Sequence, residues 1–197
     1  AYKQRAFEET LKHVGNIFPE NILSPISGPS WHYRHKARLR VKFVEKKQKV
    51  LIGFNEKMSH FLTNMNTCSI LPKKISDLIE PLQNLFFKLS IRDKIPQIEY
   101  ASNQIRHVLV IRILESLTDN DKSLLKYFQD LNKIEFWIQT KGYDTVRPLF
   151  SKTTNKLVYK NKEFNLNFSF NPTDFTQINP FINQILIRKV MALLNPS

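Results

Sequence analysis

Cysteine is nearly absent from this chain of 197 residues, which contains only Cys68. A single cysteine excludes an intrachain disulfide framework and indicates a reducing compartment. The five histidines and Cys68 show no close metal-ligand spacing, which argues against a zinc site formed by this chain alone. A site shared with residues outside the chain stays open.

Glycine is also scarce. The four glycines are scattered singly, so the sequence contains neither a P-loop nor a Gly-rich dinucleotide fingerprint. An enzyme that uses a nucleotide-like cofactor normally carries such a turn after a strand. We therefore expect no complete active site within these residues.

Long apolar runs and acidic residues are also lacking. No apolar run approaches the roughly 20 residues that span a bilayer, and no signal-peptide pattern follows Ala1, so we expect a cytoplasmic protein without a membrane partner. Thirty Lys and Arg residues against 17 Asp and Glu residues give a formal net charge of +13. This excess indicates a polyanionic partner, with nucleic acid as the first candidate and an anionic membrane surface as the second. No sequence feature implies a protein partner.

Hydrophobic periodicity predicts helices interspersed with hairpins. Apolar residues recur at helical spacing in the segments 2–14, 70–90, 118–131 and 179–194. Turn-bounded apolar segments predict hairpins at 33–43 with 50–54, at 96–101 with 105–114 and at 157–160 with 164–170, and a further strand at 134–139. Pro81 is expected to kink or divide the second helix. The pattern indicates an α+β domain built on an antiparallel sheet with flanking helices.

Aromatic and cationic residues are concentrated at the start of the first predicted strand. Its basic positions point to one face and its apolar positions to the other, namely Arg34, Lys36, Arg38, Arg40 and Lys42 against Tyr33, Ala37, Leu39, Val41 and Phe43. Arg and Lys neutralise phosphates, and exposed aromatic rings stack on unpaired bases. The alternative is a solvated basic face whose aromatic residues serve the core. The protein-wide charge favours RNA contact, although for Tyr33 core packing is equally well supported.

Two further features allow both a structural and a functional interpretation. A lone cysteine such as Cys68 is usually a small buried hydrophobe. The segment 170–179 joins the last strand to the last helix and presents polar residues around Phe175. Asn179 followed by Pro180 fits a helix N-cap, and this capping is compatible with Phe175 and Gln177 facing a ligand.

Several motifs resemble a known family, the bacterial RNA uracil-C5 methyltransferases, and within it the branch that modifies 23S rRNA. The segment 31–39 is similar to that family's W-x-Y-R-x-[RK]-A-R-L motif, and residues 52–54 are similar to its G-F return strand. The segment 66–71 resembles x-x-C-x-I-L, and 96–100 falls where the family has a similar strand. The segment 170–179 resembles F-x-P-x-D-F-x-Q-V-N, with Ile178 in place of Val. The matches follow the family order over nearly the whole chain.

The resemblance implies cofactors and roles for individual residues. Members of the family have an OB-like RNA-binding domain, a cysteine-ligated [4Fe-4S] cluster, a central domain and a Rossmann-like domain that binds S-adenosylmethionine. Cys68 matches a cluster ligand whose three partner cysteines are missing here. Gln177 matches a glutamine that touches S-adenosylmethionine, and Phe175 an aromatic residue near the target base. The catalytic cysteine and the glutamate base match nothing in this chain, so we expect the chain alone to bind neither cofactor.

The sequence therefore predicts the 23S rRNA-contacting middle portion of a uracil-C5 methyltransferase. We expect an N-terminal helix and linker at 1–30, a central α+β domain at 31–170 and, at 171–197, the lead-in and first helix of an absent S-adenosylmethionine-binding domain. The expected RNA-binding residues are Tyr33, Arg34, Lys36, Arg38, Arg40 and Phe175. Two alternatives stay open: the tRNA-directed branch of the family, which Cys68 argues against, and a non-enzymatic RNA-binding protein.

Overall fold

A computed structural model describes residues 2–195 of the chain. These residues form the helices α1 (Tyr2–His13), α2 (Lys73–Ser76), α3 (Ile79–Lys88), α4 (Asp119–Asn132) and α5 (Pro180–Leu194). The strands are β1 (Lys36–Val44), β2 (Lys49–Gly53), β3 (Gln97–Ser102), β4 (His107–Arg112), β5 (Glu135–Gln139), β6 (Arg147–Pro148), β7 (Leu157–Asn161) and β8 (Leu166–Phe170). None of the helices within 2–195 is long and apolar enough to cross a membrane.

Six of the strands form one sheet in the order β2-β1-β3-β4-β5-β6. The predicted class, an α+β domain with flanking helices on a sheet, is confirmed. The three predicted hairpins, β1–β2, β3–β4 and β7–β8, are antiparallel. The sheet differs from the prediction at one junction, because β4 and β5 run parallel. Two parallel strands need a connection that brings the chain back to the end of the sheet where the first strand began. Helix α4, which lies between β4 and β5 in the sequence, provides this connection.

The two faces of the sheet are covered by different elements. On the first, which we call the helical face, side chains such as Leu39, Ile98 and Phe136 pack with residues of α2, α3 and α4 in the main core. On the opposite face, the hairpin face, a smaller cluster joins Val110 and Trp137 to residues of the separate β7–β8 hairpin. The hairpin cluster involves β3, β4 and β5, and the basic side chains of β1 lie on this same face beside it.

The boundaries of β1 and of the second predicted helix differ from the sequence prediction. The predicted strand began at residue 33, but β1 begins at Lys36. The N–H groups of His32 and Arg34 donate to the carbonyls of Ser69 and Ile70, which lie outside the sheet. The segment 70–90 is divided into α2 and α3 at residues 77–78, before Pro81. Pro81 is the third residue of α3, where its missing N–H would have no intrahelical acceptor, so the helix accommodates it.

Helix α4 begins with the N-cap that its sequence predicts. The hydroxyl of Thr118 accepts the N–H of Asp121, and the Asp121 carboxylate accepts the N–H of Thr118. This carboxylate also accepts the N–H and the hydroxyl of Ser90, which follows α3. Burial alone would raise the pKa of Asp121, but these hydrogen bonds from Ser90 and Thr118 hold it below its usual value. Asp121 thus fixes the end of α3 against the start of α4.

Glycine is required where β2 ends. A Cβ at Gly53 would lie 2.2 Å from the carbonyl oxygen of Thr63, a backbone atom that no side-chain rotation can move away. Arg40 is the cross-strand partner of Gly53 on β1. The absence of a side chain at Gly53 therefore lets the segment around Thr63 approach the sheet next to the basic strand.

Candidate nucleic-acid interface

Exposed cations occupy the part of the hairpin face that the β7–β8 hairpin leaves open. Arg40 lies opposite Gln97, which lies opposite Arg112, so these side chains form a row across β1, β3 and β4. Lys42 extends the row along β1, and Arg40, Lys42 and Arg112 are all exposed. Within residues 2–195 none of these three cations has a carboxylate partner within salt-bridge distance. We call Arg40, Lys42 and Arg112 the basic face.

Arg38 belongs to the same strand but is engaged within the protein. Its guanidinium pairs with the Glu99 carboxylate at 2.9 Å and donates to the Tyr143 hydroxyl at 2.8 Å. The Glu99 side chain is only 5% exposed, and Gln97 also donates to it. Burial lowers the pKa of Arg38, but Glu99 and Tyr143 outweigh burial and raise it above its usual value. Arg38 therefore compensates a buried negative charge.

Lys36 fixes the segment that leads to α5, and Arg34 is bonded to Lys36 in turn. The ammonium group of Lys36 donates to the carbonyl oxygen of Asp174, and Arg34 Nε donates to the carbonyl of Lys36 at 3.1 Å. Burial lowers the pKa of Lys36, while the nearby Glu99 and Asp174 act in the opposite direction. The predicted RNA-binding strand is thus divided into an anchored part, Arg34 to Arg38, and an exposed part that begins at Arg40.

Phe175 and Gln177 line one cavity, which we call the junction cavity. Its volume is about 440 Å³, and it lies between the β3–β4 turn, the β7–β8 hairpin, the segment 174–177 and the start of α5. Tyr159 and Phe168 add aromatic surface to its wall, with ring centroids 6.2 Å apart. Asn103, Gln104 and Asn183 supply amide groups to the lining. Flat aromatic surface combined with amides can stack on and hydrogen-bond a nucleobase.

Local hydrogen bonds position the segment that presents Phe175 and Gln177. Asn179 caps α5 by accepting the N–H of Ile182 at 3.1 Å, with Pro180 as the first helical residue, which confirms the predicted cap. Upstream, Asp174 accepts the N–H of Asn171 at 2.7 Å and closes a turn. Between these two fixed points Phe175 is 86% exposed. An apolar ring held in solvent beside a cavity is available to stack on a ligand.

Tyr33 lies away from the basic face. It lines a smaller cavity of about 230 Å³ together with Trp31, His32 and His35, against the start of α5. Tyr33 is half-buried, and the N–H of His35 donates to the carbonyl of Ile178 at 2.8 Å. The structure therefore places the aromatic part of the 31–43 cluster next to α5 and separates it from Arg40 and Lys42.

Two half-buried histidines lie directly before β1 and at the start of β4. His107 Nδ1 is 3.0 Å from the Tyr100 hydroxyl, and burial, with Lys74 and His35 as smaller contributions, lowers the pKa of His107 to about 4. Burial likewise lowers the pKa of His35. Both imidazoles are consequently neutral at physiological pH and add nothing to the positive charge.

Cys68 is half-buried against the main core, and its N–H donates to the Ser76 hydroxyl at 2.9 Å. A [4Fe-4S] cluster takes four thiolates. In the described part of the chain no group of three or more His, Cys, Asp or Glu residues lies close enough to hold a metal ion. The residues present here therefore do not form a cluster site by themselves.

A second large cavity, which no sequence motif predicted, borders the junction cavity. This hairpin cavity has a volume of about 530 Å³ and is formed by the β3–β4 turn, the β7–β8 turn and one side of α5. Lys160 and Lys162 line it together with Ile105. Asn103, Gln104 and Tyr159 line both cavities. Its residues come from three segments that lie far apart in the sequence, and none of these segments has a motif that predicts a binding site.

Comparison with known proteins finds relatives that match the whole chain. No protein-family model matches the chain. The chain is 45% identical over 196 residues to the 23S rRNA (uracil(1939)-C(5))-methyltransferase RlmD of Nitrosospira multiformis, an alignment covering 100% of this chain and 45% of that protein. It is 47% identical over 195 residues to the RlmD protein of Cupriavidus necator, covering 99% of this chain and 44% of that protein. The resemblance to the RNA uracil-C5 methyltransferases that the motifs predicted is therefore confirmed along the whole chain.

A solved structure supports the fold. The crystal structure of Pyrococcus abyssi tRNA (uracil-54, C5)-methyltransferase in complex with S-adenosyl-L-homocysteine matches with a TM-score of 0.67 at 16% identity. The match covers 98% of this chain and 47% of the archaeal chain. The chain thus spans less than half the length of the relatives it matches.

Proposed function

We propose that the chain is the RNA-contacting middle portion of an S-adenosylmethionine-dependent methyltransferase that acts on uracil C5 in 23S rRNA. The observation that carries this proposal is the 45% identity to an RlmD protein along the whole chain. The basic face adds a physical reason, because its three exposed cations, which have no carboxylate partner among residues 2–195, attract phosphates. The proposed location is the cytoplasm, where rRNA is available.

The predicted RNA-binding residues take different parts in this proposal. Arg40, with Lys42 and Arg112, contacts phosphates directly because it is exposed. Arg34, Lys36 and Arg38 add positive potential while they are engaged within the protein. Lys36 holds Asp174, and Arg38 holds Glu99. Tyr33 contributes its aromatic edge near α5. Phe175 stacks on a base at the junction cavity.

The junction cavity also fits part of a cofactor site. Gln177 lines it and would hydrogen-bond S-adenosylmethionine, which supplies the methyl group. The catalytic cysteine and the base that removes the C5 proton lie outside the chain in this proposal, so that 171–197 leads into the domain that carries them. Residues 1–30 are the proposed N-terminal helix and linker, and residues 31–170 are the proposed central domain. Cys68 would supply one thiolate of a [4Fe-4S] cluster whose other ligands lie elsewhere in the protein.

RNA affinity measured against salt concentration tests the RNA-contacting role. We expect the chain to bind a 23S rRNA stem-loop in fluorescence anisotropy, with affinity falling at least about a hundredfold between about 50 mM and 200 mM salt, because neutralised phosphates release counterions. Heparin of matched charge density serves as the control for generic polyanion binding. Affinity that stays flat over this range would exclude an electrostatic RNA contact.

A further inference from the structure

The β3–β4 turn at the rim of the hairpin cavity is rigid. The Asn103 side chain donates to the carbonyl of Val158 at 3.1 Å and accepts the N–H of Arg106 at 2.8 Å. The Ser102 hydroxyl accepts the N–H of Gln104 at 2.8 Å. Arg106 in turn pairs with both carboxylate oxygens of Glu135, at 2.7 and 2.8 Å. The turn is therefore held to both β5 and the β7–β8 hairpin.

This rigid turn presents two residues that do not serve the fold. Gln104 adopts a left-handed backbone conformation with φ 76°, which is unfavourable for a residue with a side chain. Ile105 follows it and is 84% exposed, so its apolar surface gains nothing from folding. Turns of this kind favour Gly, Asn or Asp on stability grounds. An amide and a branched apolar side chain held out at a cavity rim are suited to contact a ligand.

The charge of the hairpin cavity favours an anionic ligand. Lys160 and Lys162 line it, both exposed and neither paired with a carboxylate within residues 2–195. Arg188, the other cation of the lining, is neutralised by Glu163 at 2.8 Å. A nucleotide offers a complementary group to each of these. Its phosphate matches the two unpaired ammonium groups, its base edge matches the amides, and its base face matches the apolar side chain.

We propose that the hairpin cavity binds a second, unpaired nucleotide of the RNA, adjacent in the strand to the one that occupies the junction cavity. Lys160 and Lys162 contact its phosphate, the Gln104 amide its base edge, and Ile105 its base face. The shared wall of Asn103, Gln104 and Tyr159 lets one continuous strand enter both cavities. This inference rests on the proposed function, because it assumes that the junction cavity receives a base.

The test compares two double variants that remove equal charge. Lys160→Gln/Lys162→Gln alters the hairpin cavity, whereas Lys46→Gln/Lys47→Gln alters the exposed turn between β1 and β2. The probes are a stem-loop RNA with unpaired loop nucleotides and a blunt duplex RNA of equal length. We expect the cavity variant to weaken stem-loop binding about tenfold and duplex binding less than about threefold. The control variant should affect both RNAs equally and by less than about threefold.

The variant Ile105→Ser distinguishes the contribution of base contact to RNA affinity from the contribution of charge. It leaves net charge unchanged, so we expect an approximately fivefold loss of stem-loop affinity with an unchanged salt dependence. Equal effects of the two lysine pairs, or unchanged stem-loop binding by Ile105→Ser, would overturn the inference while RNA binding by the parent chain still supports the proposed function. A parent chain that binds neither RNA would overturn both.

Discussion

Replacing Arg40, Lys42 and Arg112 together by glutamine is expected to lower affinity for a 23S rRNA stem-loop by about 10- to 100-fold at low salt. These side chains are exposed and have no carboxylate partner within residues 2–195, so their positive charge is available to phosphates. Removing three phosphate contacts should also reduce the slope of log affinity against log salt by about three. Fluorescence anisotropy across a salt series measures both quantities.

A matched triple variant controls for net charge. Lys73, Lys122 and Lys126 lie on α2 and α4, the helices that cover the opposite face of the sheet. Their replacement by glutamine removes the same charge while leaving the basic face intact. If both triple variants lose affinity equally, the contact is a general effect of charge, and the assignment of the basic face is wrong.

Arg38→Ala is expected to destabilise the fold by about 2–3 kcal/mol. Glu99, the cross-strand partner of Arg38, is nearly buried and would retain only the hydrogen bond from Gln97. The half-exposed position of Arg38 keeps the expected cost below that of a fully buried pair. Urea unfolding followed by circular dichroism gives the free energy of unfolding.

The double variant Arg38→Ala/Glu99→Ala distinguishes an unpaired charge from lost packing. Removing both partners eliminates the uncompensated carboxylate, so we expect at least half of the lost stability to return. A double variant less stable than Arg38→Ala would contradict this explanation. Because replacing Arg38 affects stability, any RNA-binding measurement on an Arg38 variant needs a measurement of folding as well. Variants of the basic face depend less on such a measurement.

Local pattern was sufficient for much of the fold. The alternation along β1 correctly assigned Ala37, Leu39 and Val41 to the core and left Arg40 and Lys42 exposed, because side chains of a strand alternate between faces. Thr118 and Asn179 marked the starts of α4 and α5, since capping depends on residues within one turn. The order of the motifs also predicted the resemblance that the relatives show.

The features that the sequence did not predict depend on contacts between residues that lie far apart in the chain. The parallel alignment of β4 and β5 depends on how α4 packs, and the engagement of Arg38 depends on a register that places Glu99 opposite it. Arg38 and Arg40 have the same pattern in the sequence, yet only one has a buried carboxylate beside it. The hairpin cavity was missed because turn residues from separate segments carry no periodicity.

The proposed function places this chain within a longer methyltransferase, and methyl transfer by that full-length protein tests the central claim most directly. The protein is incubated with labelled S-adenosylmethionine and with unmodified 23S rRNA or unmodified tRNA, and the labelled nucleoside is then identified. The account predicts that label enters 23S rRNA as 5-methyluridine and that tRNA stays unlabelled. Label in tRNA alone, or in neither RNA, would contradict it.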